Sequence, residues 1–247
     1  MSAGGAAPAV PAIGVILPSS NRVVERATHD VLSHLPGVDA CFTRIAYFGD
    51  GQGQPAGRYD ETPFLAAAEL LAHARVGVIV WNATRGAALG FTPDEALCAA
   101  IERRAGLPAV TTALATLDVL RRFDIGRVAL VTHGTPAQGA VFAARFGERG
   151  IAANAQLDLG FEDNFAAAQA DPARIAGFAR QSAARGGIDA LLIWSTNLPG
   201  YAFAAELERQ IGLPVLDSAA IGVWAALHAL KIDMRRAACR GRLFGAA

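Results

Sequence analysis

Apolar residues come in short runs separated by stretches with helical spacing, and the runs end in small polar side chains. Ile13-Gly14-Val15-Ile16-Leu17 stops at Pro18-Ser19-Ser20-Asn21, a strand entering a polar loop. Residues 23–35 alternate apolar and charged positions as a helix does, and 40–48 reads as a second strand. Gly, Gln and Pro crowd 49–57, a loop long enough to form a lid or rim. The pattern then predicts a helix over 63–75 with Thr62 as N-cap, a strand over 76–81, a helix over 92–104 capped by Thr92, a strand at Ala109 and a helix over 113–123. A second series follows: a strand over 126–131, a helix over 138–149, a strand over 153–159, a helix over 172–185 and a strand over 191–194.

The two series share a phrase. Val78-Ile79-Val80-Trp81-Asn82-Ala83-Thr84 is matched by Leu191-Leu192-Ile193-Trp194-Ser195-Thr196-Asn197, and each is followed by Gly-Leu-Pro and a short strand, at Gly106-Leu107-Pro108 and Gly212-Leu213-Pro214. This predicts a duplicated α/β protein with parallel sheets, two facing loops and a small-molecule site between them. Ligands of such sheets sit at the carboxyl ends of strands. The candidate loops are therefore 18–21, 81–85, 111–112, 132–135, 194–197 and 217–218.

Composition narrows the function. The 247 residues are 53% hydrophobic and 18% charged, as in a compact protein with a substantial core. The 22 basic and 22 acidic residues cancel, which leaves no electrostatic footprint for nucleic acid or an anionic membrane. No apolar run approaches the roughly 20 residues of a membrane span. Residues 1–11, rich in Ala, Gly and Pro without a basic start, read as a flexible leader rather than a signal peptide, so a cytoplasmic location is expected. Three cysteines without CxxC spacing argue against a disulfide framework or a zinc site, and no metal is expected. GxGxxG, Walker A, HExxH and GxSxG patterns are absent.

The loop ends carry hydroxyls and amides, among them Ser20, Asn21, Asn82, Thr84, Thr135, Ser195, Thr196 and Asn197. With backbone N–H groups they can cradle a carboxylate or a developing oxyanion; each can equally cap a helix. Three titratable groups stand with them. His133 is a general acid or base, or a turn residue. Asp217 is a desolvated acid, or the N-cap of the next helix. Arg85 is a carboxylate ligand, or a solvated surface cation. Trp81 and Trp194 can wall an apolar pocket or pack in the core.

The opening Ile13 to Asn21, with Glu25 after it, resembles the start of maleate cis-trans isomerases. Trp194-Ser195-Thr196-Asn197-Leu198-Pro199 resembles the Gly-Cys-Thr-His-x-Pro element of the aspartate/glutamate racemase superfamily, and Thr84 falls where its Cys-Asn-Thr element ends. Gly126 to Thr132, Gly212-Leu213-Pro214-Val215 and Gly241-Arg242-Leu243-Phe244 resemble arylmalonate decarboxylase. The resemblance covers nearly the whole chain after the leader. It implies two pseudo-symmetric lobes, 13–115 (with 218–247 packing back onto it) and 116–217, after a leader of 1–12, with the active site in the cleft between them. It also implies chemistry without a cofactor on a small carboxylate, and relatives that often self-associate. Such enzymes move protons, or attack an alkene, with cysteines.

Here the second cysteine position is Ser195 and the first falls at Asn82 or Ala83. The tyrosine that isomerases and decarboxylase carry after the second-half strand is replaced near Gly134, beside His133 and Thr135. A thiol titrates near 8.5 and a serine hydroxyl is far less acidic, so two-base racemisation and cysteine addition to maleate are not expected. Three readings follow: a cofactor-independent lyase or isomerase of a small acid or diacid, with His133 or Asp217 handling the proton; a Ser195 hydrolase with His133 as base and Asp217 as orienting acid; and a non-catalytic binder of small acids.

Overall fold

The structure, a computed structural model, describes residues 10–47 and 53–245. The expected leader lies outside them up to residue 9, as do residues 49–52 of the expected lid. In the first half β1 (Ala12–Pro18), β2 (Asp39–Ile45), β3 (Val78–Trp81) and β4 (Ala109–Thr111) alternate with α1 (Val23–Leu32), α2 (Thr62–His73), α3 (Arg85–Ala88), α4 (Thr92–Ala105) and α5 (Thr112–Arg122). The second half repeats the plan. Its strands are β5 (Arg127–Thr132), β6 (Ala152–Asp158), β7 (Ala190–Trp194) and β8 (Val215–Asp217). Its helices are α6 (Pro136–Gly147), α7 (Asn164–Ala167), α8 (Pro172–Arg185), α9 (Ala204–Ile211) and α10 (Ser218–Ala229), and a last short helix α11 (Arg242–Gly245) follows.

The expected α/β class is observed. Two four-stranded parallel sheets have the same order, β2-β1-β3-β4 and β6-β5-β7-β8. Burial explains why the central strands were so legible: every residue of β1, β3 and β7 is buried, as parallel strands covered on both faces require. The edge strand β6 alternates exposed and half-buried positions over most of its length, and the edge strand β2 is half-buried from Ala40 to Thr43 between exposed Asp39 and Arg44. Among the described residues, no helix is long and apolar enough to cross a membrane.

The repeated Gly-Leu-Pro has a physical origin. Gly106 and Gly212 end α4 and α9 in the left-handed region, at φ 68° and 74°, where a side chain would strain the backbone. A glutamate four residues earlier then fastens the next strand: Glu102 accepts from Ala109 N–H at 3.1 Å and Glu208 from Val215 N–H at 2.9 Å. Two expected caps are absent. Thr62 and Thr92 lie inside their helices, and Glu61 and Phe91 occupy the cap positions without a side-chain bond, because proline at the first turn already removes one orphan N–H.

α10 packs against α1, α5 and β3. Asn82, expected at the substrate, joins this packing instead. Its Nδ2 donates to Ala219 O at 3.0 Å and its Oδ1 accepts from Thr112 Oγ1 at 2.9 Å. Its amide lies flush on Gly222 of α10, where any Cβ would overlap it. Two buried hydrogen bonds and the packing against α10 depend on this side chain. Asn82→Ala is expected to lower the unfolding free energy by about 2 kcal/mol, read as a lower urea midpoint at unchanged slope. A loss below about 0.5 kcal/mol would show that the bridge carries no weight.

Candidate functional site

The carboxyl ends of the strands from both sheets meet at one cavity of about 290 Å³. The first half contributes Pro18, Tyr47, Ala83, Thr84, Arg85, Ala88 and Leu89. The second contributes His133, Gln138, Val141, Phe142, Asn164, Ser195, Thr196 and Asn197. The two repeated loops therefore face one another, with Ala83-Thr84-Arg85 opposite Ser195-Thr196-Asn197. It is Ala83 that reaches the cavity from the first loop, while Asn82 is turned to α10.

A buried polar network spans the two halves. Asn21 accepts from Val23 N–H at 2.9 Å and Val24 N–H at 3.0 Å, which caps α1, and donates to Thr196 O at 3.1 Å and Thr196 Oγ1 at 3.0 Å. Asn164 donates to Ser20 Oγ at 2.6 Å and accepts from Asn197 Nδ2 at 2.9 Å. Ser195 Oγ accepts from Asn197 N–H at 3.2 Å. Asn197 Oδ1 is buried without a partner among the described residues. Ser20 and Asn21 thus stand behind the lining and hold it.

Two titratable candidates reach the cavity. His133 is half-buried with Nδ1 unpartnered, and desolvation lowers its pKa, so at neutral pH it presents a neutral imidazole. Arg85 donates to Pro55 O at 2.6 Å and lies over the Tyr47 ring at 5.3 Å and the Tyr59 ring at 5.9 Å. No carboxylate among the described residues forms a salt bridge with it. Of the expected lid or rim over 49–57, the described part touches Arg85 through the Pro55 carbonyl, and no residue of 53–57 lines the cavity.

The third candidate does not reach it. Asp217 is fully buried, caps α10 by accepting from Ala220 N–H at 2.9 Å, and faces a separate small cavity beside Tyr201 and Arg240. Its role as N-cap outweighs its role as an acid at the cleft, because β8 ends at Asp217 itself, α10 begins at the next residue, and the side chain turns back over the helix start. No hydrogen bond joins Ser195 to His133 among the described residues, and Asp217 stands in another cavity, so the hydrolase triad is not assembled. Thr135 also caps, in a capping box with Gln138. Trp81 and Trp194 sit in the core, one layer behind the lining: Trp81 meets the Tyr47 ring at 6.2 Å and Trp194 the Phe142 ring at 6.3 Å, both edge-on. Among the described residues no group of three or more His, Cys, Asp or Glu could hold a metal. The thiol of Cys98, pushed up to about 12 by burial first and by Asp94 second, is inert.

Tyr47 and Asn164 escaped sequence reasoning. They follow β2 and β6, and the strand-end rule that found the other loops extends to these two edge strands.

The model of the arylmalonate decarboxylase family matches residues 65–244. Arylmalonate decarboxylase of Bordetella bronchiseptica is 30% identical over 161 residues, which span 65% of this chain and 65% of that protein. A maleate isomerase of Pseudomonas putida S16, solved with maleate, superposes at TM-score 0.82 with 24% identity over 97% of this chain and 99% of its own. The maleate cis-trans isomerase of Nocardia farcinica with a covalent succinylcysteine does so at 0.83 with 23% identity over 97% and 100%. A liganded arylmalonate decarboxylase variant does so at 0.78 with 24% identity over 96% and 100%. Fold, repeated loops and family model agree: the chain shares its fold with the maleate isomerases and belongs to the arylmalonate decarboxylase family.

Proposed function

We propose that the protein is a cofactor-independent lyase or isomerase that generates and reprotonates an enediolate next to a carboxylate of a small acid or diacid. The observation that carries this reading is the pair of symmetry-related loops, Ala83 to Arg85 and Ser195 to Asn197, converging on one cavity with a polar and an apolar side. Hydroxyls of Thr84 and Thr196, loop N–H groups and the Arg85 guanidinium supply fixed donors where negative charge develops. Leu89, Val141 and Phe142 offer an apolar surface for a hydrocarbon or aryl substituent beside the reacting carbon. The maleate isomerase of Pseudomonas putida S16 that shares this fold was solved with maleate, a small diacid.

Proton transfer falls to His133. Its neutral imidazole accepts the α-proton of a bound acid, the C–H electron pair moves into the enediolate, and the imidazolium formed returns a proton to carbon. In decarboxylation the pair comes instead from the C–C bond as carbon dioxide leaves, and the imidazolium is the proton donor. Ser195, whose Oγ accepts from Asn197 N–H, positions a carboxylate oxygen rather than acting as an acid.

Purified protein in heavy water with phenylmalonate, maleate and a panel of small amino and aryl acids is expected to give turnover or α-deuterium; silence across the panel would leave a binder rather than an enzyme. His133→Gln is expected to lower kcat by about 10²- to 10⁴-fold at a KM within about threefold of the parent. The two chemistries separate by pH. Because desolvation holds His133 below the usual imidazole range, proton abstraction should lose rate only as pH falls below about 6.5, whereas decarboxylation should lose rate as pH rises through that lowered pKa.

A further inference from the structure

A buried carboxyl group lies behind each of the two site loops, and neither carboxyl reaches the cavity. Asp94 of α4 is fully buried and presses on Gly86, the second residue of α3 after Thr84 and Arg85; a Cβ at Gly86 would overlap its carboxyl. Tyr59 OH donates to Asp94 Oδ2 at 3.0 Å and in turn accepts from Trp81 Nε1 at 3.3 Å. Across the cleft, Asp217 presses on Gly200 in the same way. Gly200 opens the 3-10 turn Gly200–Ala202 that follows Ser195 to Pro199, and a Cβ there would overlap Asp217 Oδ2. One oxygen of each carboxyl, Asp94 Oδ1 and Asp217 Oδ2, is buried without a hydrogen-bond partner among the described residues.

We propose that Asp94 and Asp217 are positioning residues, one beneath each site loop, whose carboxyls seat Gly86 and Gly200 and so fix Thr84 and Thr196 at the cleft. The proposal rests on the cleft being the substrate site. It goes beyond that reading in assigning work to two acids that touch no substrate.

The seats are matched to neutral carboxyls. Burial, the largest cause, raises Asp94 to about 6 against hydrogen bonds from Thr111 and Tyr59 and the charge of Arg85; Glu95 adds to the rise, and Cys98 and Tyr47 are the other titratable groups near this network. Burial raises Asp217 to about 7 against the backbone N–H groups of Ala220, Ala219 and Tyr201. Asp30, Tyr201 and Arg240 line its small cavity, and Arg26 lies near Tyr201. Both shifts are upward from 3.8, so the folded state holds more protons than the unfolded chain above about pH 4. The advantage of the seated, neutral form is complete below that pH and is lost as pH rises through 6 for the first loop and 7 for the second.

Hydrogen exchange read by mass spectrometry at pH 5 to 8, corrected for intrinsic rates and without ligand, tests this on the full chain. In the parent, amides of 83–89 are expected to lose protection as pH passes 6, and those of 195–202 as it passes 7. Asp94→Asn, which keeps the shape and removes the charge, should abolish the pH dependence of 83–89 alone, and Asp217→Asn that of 195–202 alone. Asp94→Ala and Asp217→Ala should each speed exchange about tenfold in their own loop at every pH. Phenylmalonate and maleate affinities, measured by calorimetry, should weaken with pH in the parent and stay flatter in each Asn variant. Exchange that changes equally in both loops with either variant, or in neither, would overturn the proposal. Because exchange needs no substrate, a protein that turns nothing over yet shows loop-specific exchange keeps the seats and removes the catalytic reading; the reverse result does the opposite.

Discussion

The carboxamide of Asn21 serves both halves of the molecule at once. Its oxygen closes the first turn of α1 while its nitrogen holds the backbone and hydroxyl of Thr196, so the start of one half and the second site loop cannot move independently. Because the group is fully buried, water cannot replace any bond that is lost, and each carries its full desolvation cost. The network of Ser20, Asn164 and Asn197 runs alongside it. These amides tie the two walls of the cleft to one another. α3 and α6 also touch across the same junction, and Phe91 packs edge-on against Phe146 at 5.6 Å.

The repeat was legible in the sequence because both copies obey the same local physics. A fully buried parallel strand must be apolar throughout, so β1, β3 and β7 stood out as runs, and a left-handed C-cap demands glycine, so each Gly-Leu-Pro marked a helix end. What stayed hidden depends on partners distant in sequence. Asn82 and Thr84 are alike as loop-end polar residues, yet Asn82 is claimed by Ala219, 137 residues away, and Thr84 is left at the cavity. Asp217 follows an apolar strand as a catalytic acid would, but it stands where a helix begins, and the cap prevails. Trp81 and Trp194 end their strands at the cleft, and only the aromatic neighbours Tyr47 and Phe142 show that they form its second layer.

The family's thiols are replaced in different ways on the two sides. On the first loop neither Asn82 nor Ala83 offers an ionisable group, and only Ala83 reaches the cavity, while Ser195 keeps an oxygen that can donate but not readily ionise. Among the described residues no carboxyl or thiol lines the cavity. The titratable groups that line the cavity from the two sides are His133, on the loop after β5, and Arg85, with the hydroxyls of Thr84, Ser195 and Thr196 between them.

The matched sheets also allow a comparison of the two sides position by position. Ile16 pairs with Trp81 in the first sheet as Thr132 pairs with Trp194 in the second, so the residue that corresponds to His133 is Leu17, a fully buried hydrocarbon. A cleft built from two nearly identical halves is therefore chemically handed. A planar ligand lying between the loops would have an imidazole on one side and none at the corresponding place on the other, so its two faces would not be equivalent. Two nearly matched halves thus make a cleft with distinct sides, and the difference is set at Leu17 and His133.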